Sequence, residues 1–494
     1  MTDVATIPII VRLAPEIHLK SPSTRRHFTR VLRRNLKRAL IGIPHDLRTH
    51  QGRLVLYTPE PEAAQSVIRK TFGISTFSPV DVVLHEVSVD RLCEVVADRF
   101  TETVRGRRYA VRCKRHGRKN ISASDVERRV GAVLDGPGRV DLDHPEVVVR
   151  IDLDRDQAWI YSKREPGGGG LPLGVQGRAM VLISGGFDSA VAAWYIMRRG
   201  TAVDFVFCNL GGAVHEEMVL AVCRRLVSAW GAGIRPRMFS VDFSGVVEDL
   251  RAQIPGDAWQ IVLKRLMYRA ALPIAHERGA EALVTGEALS QVSSQTLSNL
   301  QTIDAVADLP VLRPLIGFDK TEIMNRARAI GTFELCEKVP EFCAIANERP
   351  MVTSKRAHIE GMERALSDDC LKRAVSEARV HDLGAPERPE QDRTSPLLVD
   401  RIPEATEVID CQPPEFYRDW HVPGAVNHPA DEFATSFVHL PRDRSYVLYC
   451  FRGTQSAILA ERMRAAGYDA RAFAGDVARL RRLWGQQPVT EADA

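Results

Sequence analysis

The spacing of apolar residues along this chain switches repeatedly between the period of a helix and that of a strand. Residues 23–40, STRRHFTRVLRRNLKRAL, carry an apolar side chain at every third or fourth position, which predicts an amphipathic helix. Its other face is almost wholly Arg and Lys, and Ser23 or Thr24 can cap its start. The flanking stretches IPIIVRL and GRLVLYT have the composition of strands. Strand, basic helix and strand together predict a first domain over residues 1–60.

A second domain is predicted over residues 61–165, where helical and strand-like patterns continue to alternate. EAAQSVIRKTF and VDRLCEVVADRF have helical spacing, and PVDVVLHEV between them is strand-like. The stretch RGRRYAVRCKRHGRK, residues 105–119, then contains eight basic residues and no acidic one. Tyr109, Val111 and Cys113 occupy every second position in it, which predicts a strand with basic ends.

Two stretches rich in Gly and Pro divide the rest of the chain. EPGGGGLPLGVQG predicts a linker over residues 166–177, and GAPERPEQDRTSP a second one over 384–396. Between them, short apolar strands alternate with amphipathic helices over residues 178–395, which predicts a doubly wound parallel sheet. Residues 397–494 repeat this alternation on a smaller scale. The expected fold class is therefore α/β with several domains.

Composition narrows the class of protein further. The 494 residues contain no apolar stretch of the roughly 20 residues that a membrane-spanning helix needs, and no signal peptide is recognisable at the start. We therefore expect a cytoplasmic protein with no membrane association. The nine cysteines include no CxxC pair, so neither a disulfide framework nor a structural zinc site is expected.

Charge is distributed unevenly along the chain. Residues 1–120 contain 23 Lys and Arg against 11 Asp and Glu, a net charge of +12, whereas the remainder carries 44 against 52, a net charge of −8. This asymmetry predicts that the N-terminal part binds a polyanion such as a nucleic acid. The candidate contacts are Arg107, Arg108, Lys114 and Arg115. The alternative is that these residues form a solvated edge that prevents strand pairing.

The stretch SGGFDS, residues 184–189, lies between a predicted strand, AMVLIS, and a predicted helix, SAVAAWYIMRRG. A glycine-containing turn before a helix N-terminus offers free N–H groups to an anion, so Ser184, Gly185, Gly186 and Ser189 are candidate phosphate contacts. The turn lacks the lysine of a Walker loop and has Asp188 instead, which suits Mg²⁺. Such a turn fits pyrophosphate held as a leaving group, so that ATP is attacked at its α-phosphate.

The SGGFDS turn resembles the PP-loop of the ATP pyrophosphatases, a family that adenylates carbonyl or carboxylate oxygens. The strings KRLMYRAA, VTGEALSQVSSQTLSNL and LRPLIGFDKTEI are further similar to the adenylation domain of the tRNA 4-thiouridine synthetases, ThiI. This resemblance implies that the ATP contacts include Leu182, Ile183, Lys264, Gly286 and Gln295. It also implies that Asp188 holds Mg²⁺ and pyrophosphate, and that Lys320 stabilises charge during adenylation.

The residues alone leave alternatives for two of these positions and favour the assigned role at a third. Lys264 opens a helix face, where a solvated lysine is the simpler interpretation. Lys320 follows Asp319 at the start of a helix, where a surface ion pair is the alternative. Gln295 lies in a polar loop unsuited to a core, which favours a ligand contact.

The N-terminal part resembles the same family. APEIHLKSPSTRRHF is similar to its N-terminal ferredoxin-like domain. FTETVRGRRYAVRCKRHG and SASDVERRVGAVL are similar to a THUMP domain, an α+β module that binds the acceptor end of tRNA. The resemblance implies tRNA as a partner and extends over the whole chain.

Cys450 follows an apolar strand and begins the loop CFRGTQS, ahead of an amphipathic helix. Backbone N–H groups, Arg452 and a helix N-terminus would all favour its thiolate, whereas a buried inert cysteine is the alternative. The pattern C-x-x-G-x-x-S resembles the active-site loop of rhodaneses, as does FYRDWHVPGAVNHP, and Asp410 ends the first strand of this domain. Cys343, in VPEFCAIANERP, is similar to the resolving cysteine of ThiI proteins that carry a rhodanese domain.

The function expected from this resemblance is ATP-dependent transfer of sulfur to tRNA uridine eight, giving 4-thiouridine. A cysteine desulfurase would load Cys450 with a persulfide, and Cys343 would close a disulfide with it. Two alternatives stay open. The rhodanese domain can be a sulfur carrier for the thiamine thiazole, with a thiamine sulfur-carrier protein as its partner. The chain can also be a PP-loop tRNA ligase with a vestigial rhodanese domain, although the intact CFRGTQS loop argues against this.

Overall fold

The computed structural model describes residues 7–50, 53–116, 121–154, 157–340, 350–384 and 397–484. These form two compact units. The first consists mainly of the chain up to Gln176, and the second mainly of the chain from Gly177 onward.

The first unit contains ten strands and five helices among its described residues. The strands are β1 (Ile7–Leu13), β2 (Asp46–His50), β3 (Arg53–Thr58), β4 (Ile74–Pro79), β5 (Val82–Leu84), β6 (Arg108–Arg115), β7 (Arg139–Val140), β8 (Val147–Leu153), β9 (Ala158–Tyr161) and β10 (Glu165–Pro166). The helices are α1 (Pro15–His18), α2 (Pro22–Ala39), α3 (Pro61–Arg69), α4 (Val89–Val104) and α5 (Ala123–Leu134).

Two five-stranded sheets organise these elements, in the orders β10-β4-β1-β3-β2 and β5-β9-β8-β6-β7. The strand β4 pairs antiparallel with β1. The first sheet therefore continues well past residue 60, where the sequence predicted the first domain to end. The pairing of β4 is set by its apolar partners across the sheet, which local spacing does not reveal.

The start of helix α2 differs from the sequence prediction. Its N-cap is Ser21, whose Oγ accepts a hydrogen bond from the N–H of Thr24 at 3.4 Å. Pro22 occupies the first helical position, where its missing N–H costs nothing. The helix therefore begins two to three residues earlier than a cap at Ser23 or Thr24 would allow. Phe28, Val31, Leu32 and Leu36 are buried, as the apolar spacing predicted.

The glycine-rich stretch over residues 166–177 packs closely against the first sheet. Its first part belongs to β10, which pairs with β4. Leu171 is 3% exposed and Leu173 is 1% exposed, and Leu171 joins the core of the first sheet. The stretch is therefore a packed segment of the first unit rather than the free linker expected from its composition.

The second unit contains the remaining described elements. Its strands are β11 (Arg178–Leu182), β12 (Ala202–Asn209), β13 (Arg237–Asp242), β14 (Leu283–Val284), β15 (Val311–Leu312), β16 (Arg379–Asp382), β17 (Leu398–Val399), β18 (Glu407–Asp410), β19 (Val426–Asn427), β20 (Ser445–Tyr449) and β21 (Asp469–Phe473). Its helices are α6 (Phe187–Arg198), α7 (Gly212–Trp230), α8 (Ser244–Gln253), α9 (Trp259–Glu277), α10 (Leu297–Asp304), α11 (Lys320–Ile330), α12 (Phe333–Cys336), α13 (Arg356–Glu363), α14 (Asp368–Ser376), α15 (Pro414–Asp419), α16 (Ala430–Ser436), α17 (Thr454–Ala465) and α18 (Val477–Trp484).

The larger sheet of this unit has the order β15-β14-β11-β12-β13-β16. All its pairings are parallel except that of β16, which lies antiparallel on the β13 edge. This confirms the predicted doubly wound parallel sheet. The chain runs outward from β11 on both sides, so the strand order reverses between β11 and β14. Ligands of such sheets bind at the carboxyl ends of the strands where the order reverses.

The smaller sheet has the order β17-β21-β20-β18-β19 and is wholly parallel. Its core includes Leu448, Leu459 and Tyr468, drawn from the central strand and from the segments packed on it. This confirms the second, smaller α/β domain. Below, the central domain means residues 178–384 and the C-terminal domain residues 397–484. No helix among the described residues is both long and apolar enough to cross a membrane.

Candidate active site

The turn Ser184–Ser189, called the phosphate turn below, joins the carboxyl end of β11 to helix α6. Leu182 ends the strand, and the N–H of Ile183 still bonds to the carbonyl of Val206 on β12. The hydroxyl of Ser189 closes the turn: it accepts from the N–H of Ser184 at 3.2 Å and donates to the carbonyl of Gly186 at 3.2 Å. Gly185 has a φ of +81°, which favours glycine.

Gly286, two residues after the end of β14, lies directly against the backbone of this turn. A Cβ atom at Gly286 would lie 2.5 Å from the carbonyl carbon of Asp188 and 2.5 Å from the nitrogen of Ser189. Backbone at both contacts cannot move aside, so only glycine fits. The two strand ends where the sheet order reverses therefore meet through Gly286 and the phosphate turn.

The carboxylate of Asp188 is held by two donors from separate segments. Lys320 Nζ lies 3.1 Å from Oδ1 of Asp188, and Nε2 of Gln291 donates to its Oδ2 at 3.0 Å. Lys320 is the first residue of α11, which begins with a capping box between Asp319 and Glu322. Lys320 therefore pairs with the phosphate turn, and Asp319 caps the helix instead of forming the surface ion pair considered from the sequence.

Lys264 is part of a buried ion-pair network. Its Nζ lies 2.7 Å from Oε1 of Glu287, and Nε of Arg313 donates to Oε2 of the same carboxylate at 2.8 Å. Burial acts to raise the pKa of Glu287, but the charges and hydrogen bonds of Lys264 and Arg313 outweigh it and hold that pKa below its ordinary value. The Lys264 side chain is 20% exposed, so the interpretation as a solvated lysine is wrong.

Gln295 lies in the loop that contributes Gln291. Its backbone carbonyl accepts from the N–H of Ser290, a residue with a φ of +62°. The side chain is buried, and its Oε1 has no hydrogen-bond partner within the described ranges. A buried acceptor of this kind is usually satisfied by a ligand or a water molecule.

Cys450 follows β20 and begins the loop Cys450–Ser456, called the nucleophile loop below. Its Sγ accepts from the N–H of Ser456 at 3.4 Å and from the Ser456 hydroxyl at 3.5 Å. Helix α17 begins within this loop, after the N-cap residue Gly453. The sulfur is thus buried, 3% exposed by residue, and directed at the first turn of a helix. These donors stabilise negative charge on sulfur.

Arg452 does not support the sulfur in the way the sequence suggested. Its Nη1 donates to the carbonyl of Glu337 at 2.6 Å, and its Nη2 lies 3.2 Å from Oε1 of the same residue. Glu337 belongs to the central domain, in the turn after α12. The guanidinium therefore attaches the nucleophile loop to the central domain. A long, flexible arginine side chain can bond to a nearby carboxylate from another segment, and its place next to Cys450 in the sequence does not show this.

Asp410 and Tyr449 form a buried pair beside the nucleophile loop. The Tyr449 hydroxyl donates to Oδ2 of Asp410 at 2.5 Å, and Gln412 donates to the same carboxylate from its N–H and its side chain. Burial raises the pKa of Asp410, and it raises the pKa of the neighbouring thiol of Cys411 well above its ordinary value. Burial therefore disfavours the thiolate form of Cys411.

Cys343 and residues 385–396 of the predicted second linker lie outside the described residues. Glu337 and Pro340, which precede Cys343, are described. The C-terminal domain contacts the central domain through Arg452 and Glu337.

The predicted basic strand is confirmed as β6. Tyr109, Val111 and Cys113 are buried, whereas the four candidate RNA contacts are exposed: Arg107, Arg108, Lys114 and Arg115. Arg108 lies 3.4 Å from carboxylate oxygens of both Asp141 and Glu146. These acidic partners come from a distant stretch of sequence, so the basic run carries less free charge than its composition indicated.

A second basic surface follows the exposed face of helix α2. Arg30, Arg33, Arg34, Lys37 and Arg38 line a shallow depression there, together with Ile41. The sequence predicted this charged face from the helical spacing alone. Like charges at this density repel one another and favour a bound anion.

Within the described ranges, no group of three or more His, Cys, Asp or Glu side chains converges. Asp188 offers a single carboxylate with 23% of its side chain exposed. One carboxylate together with substrate phosphates is the usual arrangement for Mg²⁺. The donor set therefore fits a magnesium ion that arrives with a nucleotide.

Sequence reasoning missed Gln291, Glu287 and Arg313, although all three lie inside the strings that carried the resemblance. Their signal was available: Glu287 is a charged residue directly after a buried strand and glycine, where site residues of parallel sheets lie. Their partners could not be assigned, since 23 residues separate Lys264 from Glu287 and 103 separate Asp188 from Gln291.

Comparison with known proteins matches four family descriptions to successive parts of the chain. "ThiI ferredoxin-like domain" matches residues 8–78, and "THUMP domain" matches residues 85–163. "Thiamine biosynthesis protein (ThiI)" matches residues 174–367, and "Rhodanese-like domain" matches residues 395–480. These matches confirm the fold class and the modules expected from the sequence.

Whole-chain relatives agree with the family descriptions. A tRNA sulfurtransferase from Pyrobaculum aerophilum is 37% identical over 466 residues, covering 94% of this chain and 95% of the relative. One from Yersinia enterocolitica is 35% identical over 475 residues, covering 93% and 98%. A solved structure described as a 4-thiouridine synthetase–RNA complex with bound ATP superposes with a TM-score of 0.68 at 30% identity, covering 76% of this chain and 99% of that one.

The resemblance drawn from individual motifs is thus confirmed across nearly the whole length of the chain. The phosphate turn lies where the strand order of the parallel sheet reverses, and the nucleophile loop lies in the rhodanese-like domain. Both parts are present together with the N-terminal modules of the relatives. The chain belongs to the tRNA sulfurtransferase family.

Proposed function

We propose that this protein catalyses ATP-dependent transfer of sulfur to a tRNA uridine at position eight, producing 4-thiouridine. The observation that carries the proposal is the presence, in one compact unit, of a phosphate turn and a persulfide-type nucleophile loop, whose Arg452 bonds to Glu337 of the domain that contains the phosphate turn. The first part activates a carbonyl oxygen, and the second delivers sulfur. Similarity to tRNA sulfurtransferases and to a 4-thiouridine synthetase–RNA complex with bound ATP supports this assignment.

The first step is adenylation. The uridine O4 attacks the α-phosphate of ATP, the bond from the α-phosphate to the bridging oxygen breaks, and pyrophosphate leaves toward the phosphate turn. Ser184, Gly185, Gly186 and Ser189 would receive it, because the N–H groups at a helix N-terminus stabilise an anion. Adenylation is needed because the carbonyl oxygen of uracil is a poor leaving group, whereas AMP is a good one.

Charge at this step is balanced by Asp188 and Lys320. Asp188 would hold Mg²⁺ together with the phosphates, and the ion would neutralise charge on the departing pyrophosphate. Lys320 lies 3.1 Å from Asp188 and has 43% of its side chain exposed. It is therefore free to shift toward phosphate when the carboxylate is occupied by the ion.

The rest of the nucleotide would contact residues around the same strand ends. We assign this role to Leu182 at the end of β11 and to Ile183 after it, to Gly286 and Lys264, and to the buried acceptor of Gln295. The pairing of Lys264 with Glu287 holds its ammonium in position. Because the ammonium is already held in place, it can stabilise the charge of an arriving phosphate without the free-energy cost of reorganisation.

Sulfur then moves from Cys450. The terminal sulfur of a Cys450 persulfide attacks C4 of the adenylated uridine, and AMP leaves with the electron pair of the C4–O bond. The Cys343 thiolate attacks the Cys450 sulfur, so that the S–S bond to the nucleoside breaks and a Cys343–Cys450 disulfide forms. Release of sulfide by Cys343, followed by attack of sulfide on C4, gives the same products. A dithiol reductant supplies two electrons to reopen the disulfide.

Two macromolecules would act with this protein. The N-terminal unit would bind tRNA, with Arg107, Arg108, Lys114 and Arg115 on the phosphate backbone. A cysteine desulfurase would load the persulfide, and both encounters would take place in the cytoplasm. The alternative function, sulfur supply to a thiamine sulfur-carrier protein, uses only the C-terminal domain, and it can coexist with tRNA thiolation.

Mass spectrometry of tRNA nucleosides from a deletion strain tests the proposal. We expect 4-thiouridine to disappear and to return on expression of the wild-type chain. Retention of 4-thiouridine at its normal level in the deletion strain would contradict it. An Asp188→Asn chain that fails to restore 4-thiouridine but restores growth without thiamine would identify the sulfur-carrier role as a separate activity.

A further inference from the structure

Glu461, on helix α17 of the C-terminal domain, reaches the first turn of helix α7 in the central domain. Its Oε1 accepts from the N–H of Ala213 at 2.8 Å, and its Oε2 accepts from the N–H of Val214 at 3.0 Å. Both contacts are charge-assisted hydrogen bonds, which are stronger than neutral ones. One carboxylate therefore binds two successive backbone amides of another domain.

Helix α7 has no cap of its own at this end. Its N-cap is Gly211, no side chain caps it, and no acidic residue lies in its first turn. The first N–H groups of a helix lack partners within the helix, and the positive end of its dipole attracts an anion. Gly212 has a φ of +81°, and a Cβ atom there would lie 2.8 Å from Oε2 of Glu461. The start of α7 therefore offers the carboxylate N–H groups and the positive end of the helix dipole, and the missing side chain of Gly212 leaves room for it.

Other contacts hold the same two surfaces together. Nη2 of Arg462, the next residue along α17, donates to the carbonyl of Leu210 at 3.2 Å. Val214 packs against the core of the C-terminal domain. Arg452, at the nucleophile loop, bonds to Glu337. The contact therefore combines a charged cap, a half-buried apolar side chain and a second polar anchor close to Cys450.

Helix α7 also lies against the phosphate turn, since a Cβ atom at Gly185 would lie 3.0 Å from Cγ2 of Val219 on this helix. Helix α7 follows β12, the strand next to β11, so its start lies at the same edge of the sheet. His215 is buried edge-on against Phe207, with ring centroids 4.9 Å apart. Burial lowers the pKa of His215 to about 4. A neutral His215 ring therefore packs between the start of α7 and Phe207 of β12.

We propose that Glu461 is a positioning residue for sulfur transfer: by capping helix α7 it docks the C-terminal domain on the edge of the sheet that carries the phosphate turn. Docking keeps the Cys450 persulfide beside the place where the uridine is adenylated. This inference rests on the function proposed above. Glu461 touches neither substrate nor sulfur, so its removal slows delivery and leaves the separate chemical steps intact.

The test compares Glu461→Ala and Glu461→Gln with wild type in the full-length chain. Each protein is loaded with ³⁵S by a cysteine desulfurase and then mixed with ATP and unmodified tRNA in a single turnover. We expect Glu461→Ala to transfer label to tRNA about tenfold more slowly, the range of a lost carboxylate–helix interaction. Loading of Cys450 and pyrophosphate release should match wild type. Glu461→Gln retains an acceptor without the charge and should lie between the two.

A matched control removes a different carboxylate of the same domain. Glu407 pairs with Arg444 within the C-terminal domain. The variant Glu407→Gln changes the net charge equally, and we expect it to transfer sulfur at the wild-type rate. Loading of Cys450 in each variant verifies that the C-terminal domain is folded.

Hydrogen exchange measures docking without any chemistry. The amides of Ala213 and Val214 should exchange about tenfold faster in Glu461→Ala than in wild type or Glu407→Gln. Wild-type exchange and wild-type transfer in Glu461→Ala would overturn the inference. If wild type itself transfers no sulfur to tRNA, the proposed function fails, and the exchange measurement still decides whether Glu461 docks the domain.

Discussion

Lys320 Nζ lies 3.1 Å from Oδ1 of Asp188, so a cation at the start of helix α11 balances the only carboxylate of the phosphate turn. The two residues are 132 positions apart in sequence. They meet because the loops after parallel strands converge on the edge of the sheet where the strand order reverses. The pair defines the charge balance of the site before a nucleotide arrives.

Replacement of Asp188 should separate adenylation from sulfur loading. We expect Asp188→Asn to lower tRNA thiolation roughly a hundredfold or more, because the phosphate turn loses the carboxylate that would hold the Mg²⁺ balancing the pyrophosphate charge. Desulfurase-driven ³⁵S loading of Cys450 should be unchanged. Pyrophosphate release with uridine-bearing tRNA measures the first effect. Asp308→Asn removes an exposed carboxylate paired with His276 and should behave as wild type. Normal pyrophosphate release in Asp188→Asn would show that the assignment is wrong.

Neutralising the basic strand should reduce both tRNA affinity and its salt dependence. If Arg107, Arg108, Lys114 and Arg115 all contact phosphates, the log–log slope of the binding constant against salt should fall by about 3–4 when all four are replaced by Gln. Arg108 already faces two carboxylates, so we also test a double variant that leaves it in place. Arg107→Gln with Lys114→Gln removes two of the four contacts and should account for about 1.4–1.8 of this fall.

The control for the basic strand is a pair of arginines on helices of the same unit. Arg91 and Arg128 are exposed and form ion pairs within their own helices, with Glu94 and Asp125. Arg91→Gln with Arg128→Gln changes the net charge as much as the first pair. We expect its salt slope to stay near that of wild type. Equal slopes for the two double variants would make β6 a solvated edge.

The two reactive cysteines should fail at different steps. Cys450→Ser should take up no ³⁵S, because the donors of the nucleophile loop would then face a hydroxyl that cannot form a persulfide. Cys343→Ser should load normally but stop after at most one turnover in the presence of reductant. Peptide mapping without reduction, after one turnover of wild type, should yield a Cys343–Cys450 peptide. Cys370→Ser, a half-buried thiol of helix α14, is the control.

Multiple turnovers by Cys343→Ser, with no Cys343–Cys450 peptide in wild type, would exclude the resolving role. Sulfur would then leave Cys450 by another route. The described contacts already attach the nucleophile loop to Glu337, six positions before Cys343 in the sequence. A Cys343–Cys450 disulfide requires the Cα atoms of these two residues to come within about 4.4–6.8 Å of each other.

The carboxylate of Glu216 on helix α7 should make stability depend on pH. Burial acts to raise its pKa, but hydrogen bonds from His381 and Ser240 and the charge of Arg379 lower it from 4.5 to about 2. A depressed folded-state pKa contributes stability that is fully present above pH 4.5 and is lost as the pH falls toward 2. Removing one member of such a buried network is costly.

We therefore expect Glu216→Gln to lower the thermal midpoint at neutral pH by roughly 5 °C or more. The difference from wild type should shrink as the pH falls below 4.5. Glu217→Gln, at the exposed neighbouring position, should match wild type throughout. Calorimetry of the transition that contains the central domain measures both. A difference that persists unchanged in acid would show that Glu216 stabilises the domain by packing rather than by charge.

Local sequence determined the elements and most of the chemistry of this protein. Apolar periodicity predicted the amphipathic helix α2, the strand β6 and the parallel sheet around SGGFDS, because burying one face of a helix or strand fixes the spacing of its apolar residues. The position of Cys450 between an apolar strand and a helix predicted a nucleophile loop. These features depend on neighbours within a few residues, which the sequence shows directly.

Only the tertiary structure decided which distant residues meet. It paired Lys320 with Asp188 and Lys264 with Glu287, it directed Arg452 away from the sulfur, and it brought Glu461 to the start of helix α7. A charged side chain pairs with an oppositely charged group that lies near it in space. The residues next to it in the sequence do not show which group that is. The modules could therefore be predicted from the sequence, whereas the ion pairs and the contact between domains depend on how the sheets bring separate loops together.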